Sequence, residues 1–374
     1  MQYVRARADS SGCARHTAPG AVAAVSGGRH SGRWYPIAPR FSHRIWFEVG
    51  GTGKDRSGRG RSSSRSVRRS RDGALRTAVT DLRSADGHLE RLAREAEAQA
   101  RAENFPVALR LLPRGPRRHL SDVYRYARFV DDVGDTADGD RTALLAAVEA
   151  DVRALPNGAA RLPAVTPLGA LVRSGTVTLQ PLLDLIAANR MDQRVRRYDT
   201  FADLLGYCAL SAAPVGRLVL QLAGASDPGD LARSDEVCAA LQVLEHCQDV
   251  AEDAAAGRIY LPQEDLARHG VEPAALRRGP TPDAVRAVVA LQTDRAERLL
   301  AAGPPLVRRL RGWARVAVAG YVAGGLATAR ALRRARFDVL ARDVRPSRVV
   351  TAALAARLWA GRGPGAPARS GSDR

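Results

Sequence analysis

Lysine is nearly absent from this chain. Lys54 is the only one among 58 Lys and Arg in 374 residues, and Arg, Ala, Gly and Pro dominate together, as codon choice in a GC-rich genome produces. The net charge of +19 is therefore weak evidence for a polyanionic partner, and it is also uneven. Residues 1–72 hold 15 Lys+Arg against 4 Asp+Glu, a net +11, which leaves +8 for everything that follows. Nucleic-acid binding needs basic residues gathered on a folded face with aromatics between them. Here the excess lies in an arm without hydrophobic periodicity, so no nucleic-acid partner is expected. Cysteine is also scarce. Cys13, Cys208, Cys238 and Cys247 show no C-x-x-C or other metal-ligand spacing. The last three fall in apolar helical contexts, where buried reduced thiols are expected, and a cytoplasmic compartment fits them. The longest uncharged apolar run, 316–329, has 14 residues. That is short of the roughly 20 that span a bilayer and suits a core helix. The first 30 residues are interrupted by Arg, Asp, His and Pro, so no secretory leader is expected there. Strand alternation is missing, and so is a strand–Gly-x-Gly-x-x-Gly–helix dinucleotide unit. Gly50-Gly-Thr-Gly-Lys54 lacks the spacing of a phosphate-binding loop.

Helical pattern is what the chain does have. Residues 1–79, rich in Arg, Ser and Gly, cannot bury enough surface to offset chain entropy and are expected to be a disordered extension. Residues 361–374 read as a flexible tail. Between 80 and 360 apolar positions recur at helical steps, punctuated by Pro and Gly. The expectation is an all-α domain, a single large helical bundle with a central cavity. Helices are expected over 88–103, 142–155, 179–194, 200–223 (kinked at Pro214), 263–269, 306–332 and 337–358. Two acidic helices are expected besides, one ending near Asp138 and one running to Gly257, and a further long helix from 281.

The acidic helices carry the chemistry. In Tyr124-Arg-Tyr-Ala-Arg-Phe-Val-Asp-Asp-Val-Gly-Asp135, residues Tyr124, Arg128, Asp131 and Asp135 share one helical face. In Leu241-Gln-Val-Leu-Glu-His-Cys-Gln-Asp-Val-Ala-Glu-Asp253, residues Gln242, Glu245, Asp249 and Asp253 do the same. Carboxylates one turn apart on apolar helices are costly to bury unless they bind something. Mg²⁺ prefers oxygen ligands and commonly bridges carboxylates to substrate phosphates, so two such pairs facing each other suit Mg²⁺ and a diphosphate. Arg128 adds a permanent positive charge for the same diphosphate. Either acidic pair alone would read as a solvated helix face. Tyr124 and Tyr207 read equally well as core aromatics, and His246, one position off the acidic face, as structural.

Residues 98–358 resemble the squalene/phytoene synthase family, the head-to-head prenyl synthases. Asp131-Asp-Val-Gly-Asp135 is similar to its first aspartate-rich motif. Gln242 through Asp253, with Gly257-Arg-Ile-Tyr-Leu-Pro262 behind it, is similar to its second. Tyr207-Cys-Ala-Leu-Ser-Ala-Ala-Pro-Val-Gly216 resembles its central helix, and Glu103-Asn-Phe-Pro-Val-Ala108 the opening of bacterial hydroxysqualene synthases of hopanoid biosynthesis. The resemblance implies the isoprenoid synthase fold and Mg²⁺-dependent conversion of presqualene diphosphate to hydroxysqualene, by ionisation, rearrangement and water capture. Sister activities remain open: presqualene diphosphate synthase, or phytoene or squalene synthase acting on two prenyl diphosphates such as farnesyl diphosphate. It further implies that Asp131, Asp135, Asp249, Asp253 and Glu245 hold the metal. Arg128 would bind diphosphate; Asn104, Phe105, Tyr124, Tyr207, Val215, Gln242, Arg258 and Tyr260 would contact substrate. Glu245 stands where many relatives carry Asn, and Ser211-Ala-Ala-Pro214 departs from the Val-Ala-Gly-Thr of dehydrosqualene and phytoene synthases. A monomer or homodimer is expected, either free in the cytoplasm or peripheral to the inner face of the membrane. A non-catalytic basic helical protein is the alternative of another class.

Overall fold

The computed structural model describes Gly87, Leu89, Arg91, Leu92 and residues 112–363, all within one unit of the chain. The Arg-rich extension, the loop-like Gly50–Lys54 stretch, Asn104, Phe105 and the tail beyond 363 lie outside the described residues, as does most of the helix expected over 88–103. Among the described residues the fold is all-α, and the sole extended pairing is an isolated parallel bridge, Arg197 with Ile259.

Helix α1, Arg114–Asp135, buries Val123, Tyr126, Val130 and Val133 along one stripe, spaced three and four residues apart. The Tyr126 hydroxyl donates to the Leu182 carbonyl at 2.7 Å, which satisfies the one polar atom of a fully buried ring. After α1, Asp140 accepts from the Thr142 and Ala143 amides and starts α2, Arg141–Arg153. A 3-10 turn, Thr166–Leu168, leads into the short α3, Gly169–Arg173, and then α4, Leu179–Asp192. Helices α5, Phe201–Ser211, and α6, Ala213–Leu222, divide the stretch expected as one kinked helix. The break falls at Ala212, which places Pro214 in the first turn of α6, where its missing amide costs nothing. Phe201–Leu222 has the length and hydropathy to cross a bilayer, but Tyr207, Cys208, Leu218 and Leu220 bury it in the protein core.

The second acidic helix is also interrupted. Helix α7, Pro228–Gln248, ends at Asp249 (φ −102°, ψ 16°), and α8, Val250–Ala255, follows directly. Helix α7 packs against α5, α6 and four later helices: α9 is Gln263–Arg268, and α7 touches α10 (Asp283–Leu300), α11 (Gly303–Arg309) and α12 (Gly312–Arg334) as well as α8. Apolar residues all round α7 follow from that surrounded position. Two further expectations need correction. The core helix expected over 306–332 splits into α11 and α12 at Leu310 and Arg311, whose backbone is extended, and Gly312 opens α12 with φ +55°. The helix expected over 337–358 begins only at Arg348 as α13, Arg348–Trp359. Arg336 and Phe337 have φ of 52° and 56°, and Pro346 holds the residue before it out of the helical region.

Two apolar clusters form the core, one around α1, α2 and α4, the other around α7 and α10–α13. Val215 and Leu222 of α6 pack against both. Cys208, Cys238 and Cys247 are buried and free.

Candidate active site

Helices α1 and α4 approach closely at Gly134, where a Cβ would collide with the Asn189 side chain. That contact brings Asn189 to Asp131, to whose Oδ1 it donates at 3.0 Å. Gln193 donates to the Gly134 carbonyl at 2.9 Å and fixes the same crossing. The chain then leaves α4 and runs beside the segment after α8. Ile259 donates to the Arg196 carbonyl and Gln263 to the Tyr198 carbonyl, both at 2.9 Å. This pairing delivers Tyr198, Arg258 and Tyr260 to the end of α4, where Asp192 is buried.

Asp192 accepts from Tyr207 at 2.9 Å and from Tyr260 at 3.2 Å. Arg258 donates to Asp135 at 2.7 Å, and both side chains are buried. Tyr198, Tyr207 and Tyr260 form an aromatic group with centroids 5.4–5.7 Å apart. His246 stacks on Tyr260 at 3.8 Å, with its Nδ1 3.6 Å from Asp253 Oδ2. A small cleft opens on Asp131, Asp135, Asn189, Asp192, Tyr207 and Gln242, with Leu185, Ala188 and Ser211 completing its wall.

Electrostatics follow from this crowding. Burial pushes Asp131 up to about 7, against the pull of the Asn189 hydrogen bond. It pushes Asp192 to about 7 as well, against the pull of Arg258. Asp135 is raised by burial despite Arg258, and Asp253 rises well above the carboxylate range for the same reason. Burial lowers His246 to about 3, so it is neutral at ordinary pH.

The residues expected from the sequence converge unequally. Asp131, Asp135, Tyr207 and Gln242 line the cleft; Arg258, Tyr260 and Asp253 adjoin it through the contacts above. Arg128 pairs with Asp132 at 3.0 Å while lying close enough to bias Asp131 and Asp135. Glu245 and Asp249 are buried, Gln242 Nε2 lies 3.4 Å from Glu245 Oε2, and Asp249 caps the break between α7 and α8. Neither Asp249 nor Asp253 is on the described cleft wall, so the two acidic pairs do not line it symmetrically. Tyr124 is buried, and Val215 bridges the apolar clusters. Sequence reasoning missed Asn189 and Asp192 and set His246 aside. The available signal was a polar pair three residues apart on the otherwise apolar face of α4.

No group of three or more His, Cys, Asp or Glu among the described residues forms a ready-made metal cluster. The donors nevertheless suit a hard divalent cation. They are oxygens, burial destabilises their ionised forms, and Asp253 Oδ2 and Gln242 Oε1 are buried without hydrogen-bond partners. Mg²⁺ commonly takes only one or two carboxylates and completes its shell with water and substrate phosphate.

Residues 98–350 match the family model described as squalene/phytoene synthase. A hydroxysqualene synthase of Sinorhizobium fredii is 33% identical over 222 residues, 58% of this chain and 74% of the relative. One from Rhodopseudomonas palustris is 32% identical over 243 residues, 63% and 77% of the two chains. The crystal structure of squalene synthase HpnC from Alicyclobacillus acidocaldarius superimposes with a TM-score of 0.61 at 39% identity, covering 69% of this chain and 97% of that one.

Proposed function

The chain belongs to the squalene/phytoene synthase family of prenyl-diphosphate-processing enzymes, with its all-α isoprenoid synthase fold, and on that premise we propose that it converts presqualene diphosphate to hydroxysqualene. The observation that carries the choice is the naming of its relatives: those in Sinorhizobium fredii and Rhodopseudomonas palustris, 32–33% identical over most of their length, are hydroxysqualene synthases.

The reaction breaks the C–O bond to diphosphate, and the electron pair leaves with that group. The cyclopropylcarbinyl cation rearranges, and a water oxygen closes on it with loss of one proton. Asp131, Asp135 and Asp253 would hold Mg²⁺, with Gln242, Glu245 and Asp249 beside them. When bound, the metal neutralises diphosphate charge and makes it a better leaving group. Arg258 offsets carboxylate charge around the cleft, and Arg128, paired with Asp132 on α1, would meet the diphosphate. Tyr207, on the cleft wall and anchored through Asp192, would offer a ring whose quadrupole attracts a passing cation, with Tyr260 packed behind it. Burial keeps His246 neutral, so it adds no competing positive charge. The apolar wall, Leu185 and Ala188 with Val215 behind it, favours a prenyl chain. We place the reaction in the cytoplasm, with the long-chain alcohol product passing to a membrane.

Presqualene diphosphate, Mg²⁺ and oxygen-18 water, without nicotinamide, are expected to give hydroxysqualene labelled in its hydroxyl. Strict dependence on NADPH, or unlabelled alcohol, overturns the assignment. Release of presqualene diphosphate or phytoene from simple prenyl diphosphates would establish a sister activity instead.

A further inference from the structure

Two polar atoms on the wall of the candidate active-site cleft, Ser211 Oγ and Gln242 Oε1, are buried without a hydrogen-bond partner. The other polar groups of that wall are engaged. Asn189 donates to Asp131, Arg258 donates to Asp135, and Tyr207 donates to Asp192. A buried hydroxyl and a buried amide oxygen are both costly to leave unmet. A single water, which can accept from one and donate to the other, meets both.

Local structure sets both groups in place. Gln242 Nε2 lies 3.4 Å from Glu245 Oε2 and 3.3 Å from His246 Nε2. An ionised carboxylate only accepts, so the nitrogen end of the amide is the one turned to Glu245, and Oε1 is the end left over. Ser211 is the last residue of α5, before the break at Ala212. It follows Tyr207 by one helical turn on the same face, which sets the hydroxyl beside the ring that attracts the cation. Ser211 also stands where the dehydrosqualene and phytoene synthase motif carries Val, so a hydroxyl here replaces a methyl.

We infer that Ser211 and Gln242 hold the water that captures the rearranged cation, and so determine that the product is an alcohol. The inference rests on the reaction proposed above. The Ser211 hydroxyl donates to the water, and the water donates one hydrogen to Gln242 Oε1, which leaves a lone pair for the cation. That lone pair forms the C–O bond, and the resulting oxonium gives one proton to the released diphosphate. No oxidant or reductant is consumed. Without the held water, the same cation sheds a proton from carbon and ends as a hydrocarbon.

The test compares Ser211→Thr with Ser211→Val, two side chains of one shape that differ in hydroxyl against methyl. Each full-length variant is given presqualene diphosphate, Mg²⁺ and oxygen-18 water, and labelled alcohol is measured against total diphosphate released. The Thr variant should keep the wild-type ratio. The Val variant should lower it about tenfold, as loss of one hydrogen bond to the attacking water implies, with hydrocarbon making up the balance. A merely structural role would lower diphosphate release in both variants without moving the ratio, and that result overturns the inference. So does an unshifted ratio in Ser211→Val; with the wild type still forming labelled alcohol, either result leaves the reaction standing. A wild type that forms no labelled alcohol brings down the reaction and this inference together. A crystal structure of the wild type with Mg²⁺ and inorganic diphosphate gives a readout independent of turnover. One water within about 3.2 Å of both Ser211 Oγ and Gln242 Oε1, lost in Ser211→Val, supports the site, and a wild-type structure without it overturns the site.

Discussion

Arg258 and Asp135, 123 positions apart in the chain, meet at 2.7 Å with both side chains buried. The same guanidinium also stabilises the ionised forms of Asp192 and Asp253. Arg258→Leu should therefore cost about 3–5 kcal/mol in urea unfolding, because removing one member of a buried pair strands the other. Turnover should fall to background. Arg258→Lys should recover only part of the stability, since an ammonium does not reproduce the guanidinium fork. A fully stable and active Arg258→Leu enzyme would show that the cation organises nothing.

Asp131 and Asp192 set a pH dependence. Both fold into sites that raise their pKa to about 7, so between about pH 4 and 7 the native state retains protons that the unfolded chain releases. Stability of the metal-free protein attributable to these groups therefore falls as pH rises through that window. Thermal unfolding in chelator should show the decline, and Asp131→Asn should flatten it by up to about 1.4 kcal/mol per pH unit. An unchanged slope in that variant would contradict the buried placement of Asp131.

Mg²⁺ should offset the same burial cost of the ionised carboxylates. Saturating Mg²⁺ is expected to raise the melting temperature, by an amount equivalent to about 2.7 kcal/mol at a hundredfold excess over Kd. Asp131→Asn and Asp249→Asn should abolish turnover while keeping a cooperative fold, and Asp131→Asn should shrink the Mg²⁺ shift. Full activity in both variants, or in chelator, would remove the carboxylates from the chemistry.

Gly134 is predicted to be intolerant of a methyl group. Gly134→Ala drives a Cβ into Asn189 and should cost about 1–3 kcal/mol, with loss of turnover through displacement of Asp131. Asn189→Ala alone should also be harmful, because Asp131 loses its donor. Together the two should cost less than their sum, since truncating Asn189 clears the space. Strict additivity in the double-mutant cycle would mean the α1–α4 contact is not the cause.

The elements that sequence reading found are those with local causes. The acidic face of α1, with Tyr124, Arg128, Asp131 and Asp135, was legible because a helical period shows in a single window. The Gly257–Pro262 motif marked Arg258 and Tyr260 in the same way. The breaks at Asp249 and Gly312, and the irregular path from Arg336 to Ser347, were not legible. Their periodicity continues across the break, while the backbone turns to meet neighbours distant in sequence.

By itself the sequence determined the all-helical class, the two acidic segments and the residue types available to bind a diphosphate, since periodicity and local spacing encode these. Only the tertiary structure decided which groups meet. It joined Arg258 to Asp135, placed Asn189 on Asp131, brought two tyrosines to Asp192 and stacked His246 on Tyr260. It also left Val349 and Trp359 of α13 exposed. The reason is physical. Hydrogen bonds, ion pairs and desolvation act through space over a few ångströms, and a helical pattern records that a face is buried without recording what buries it.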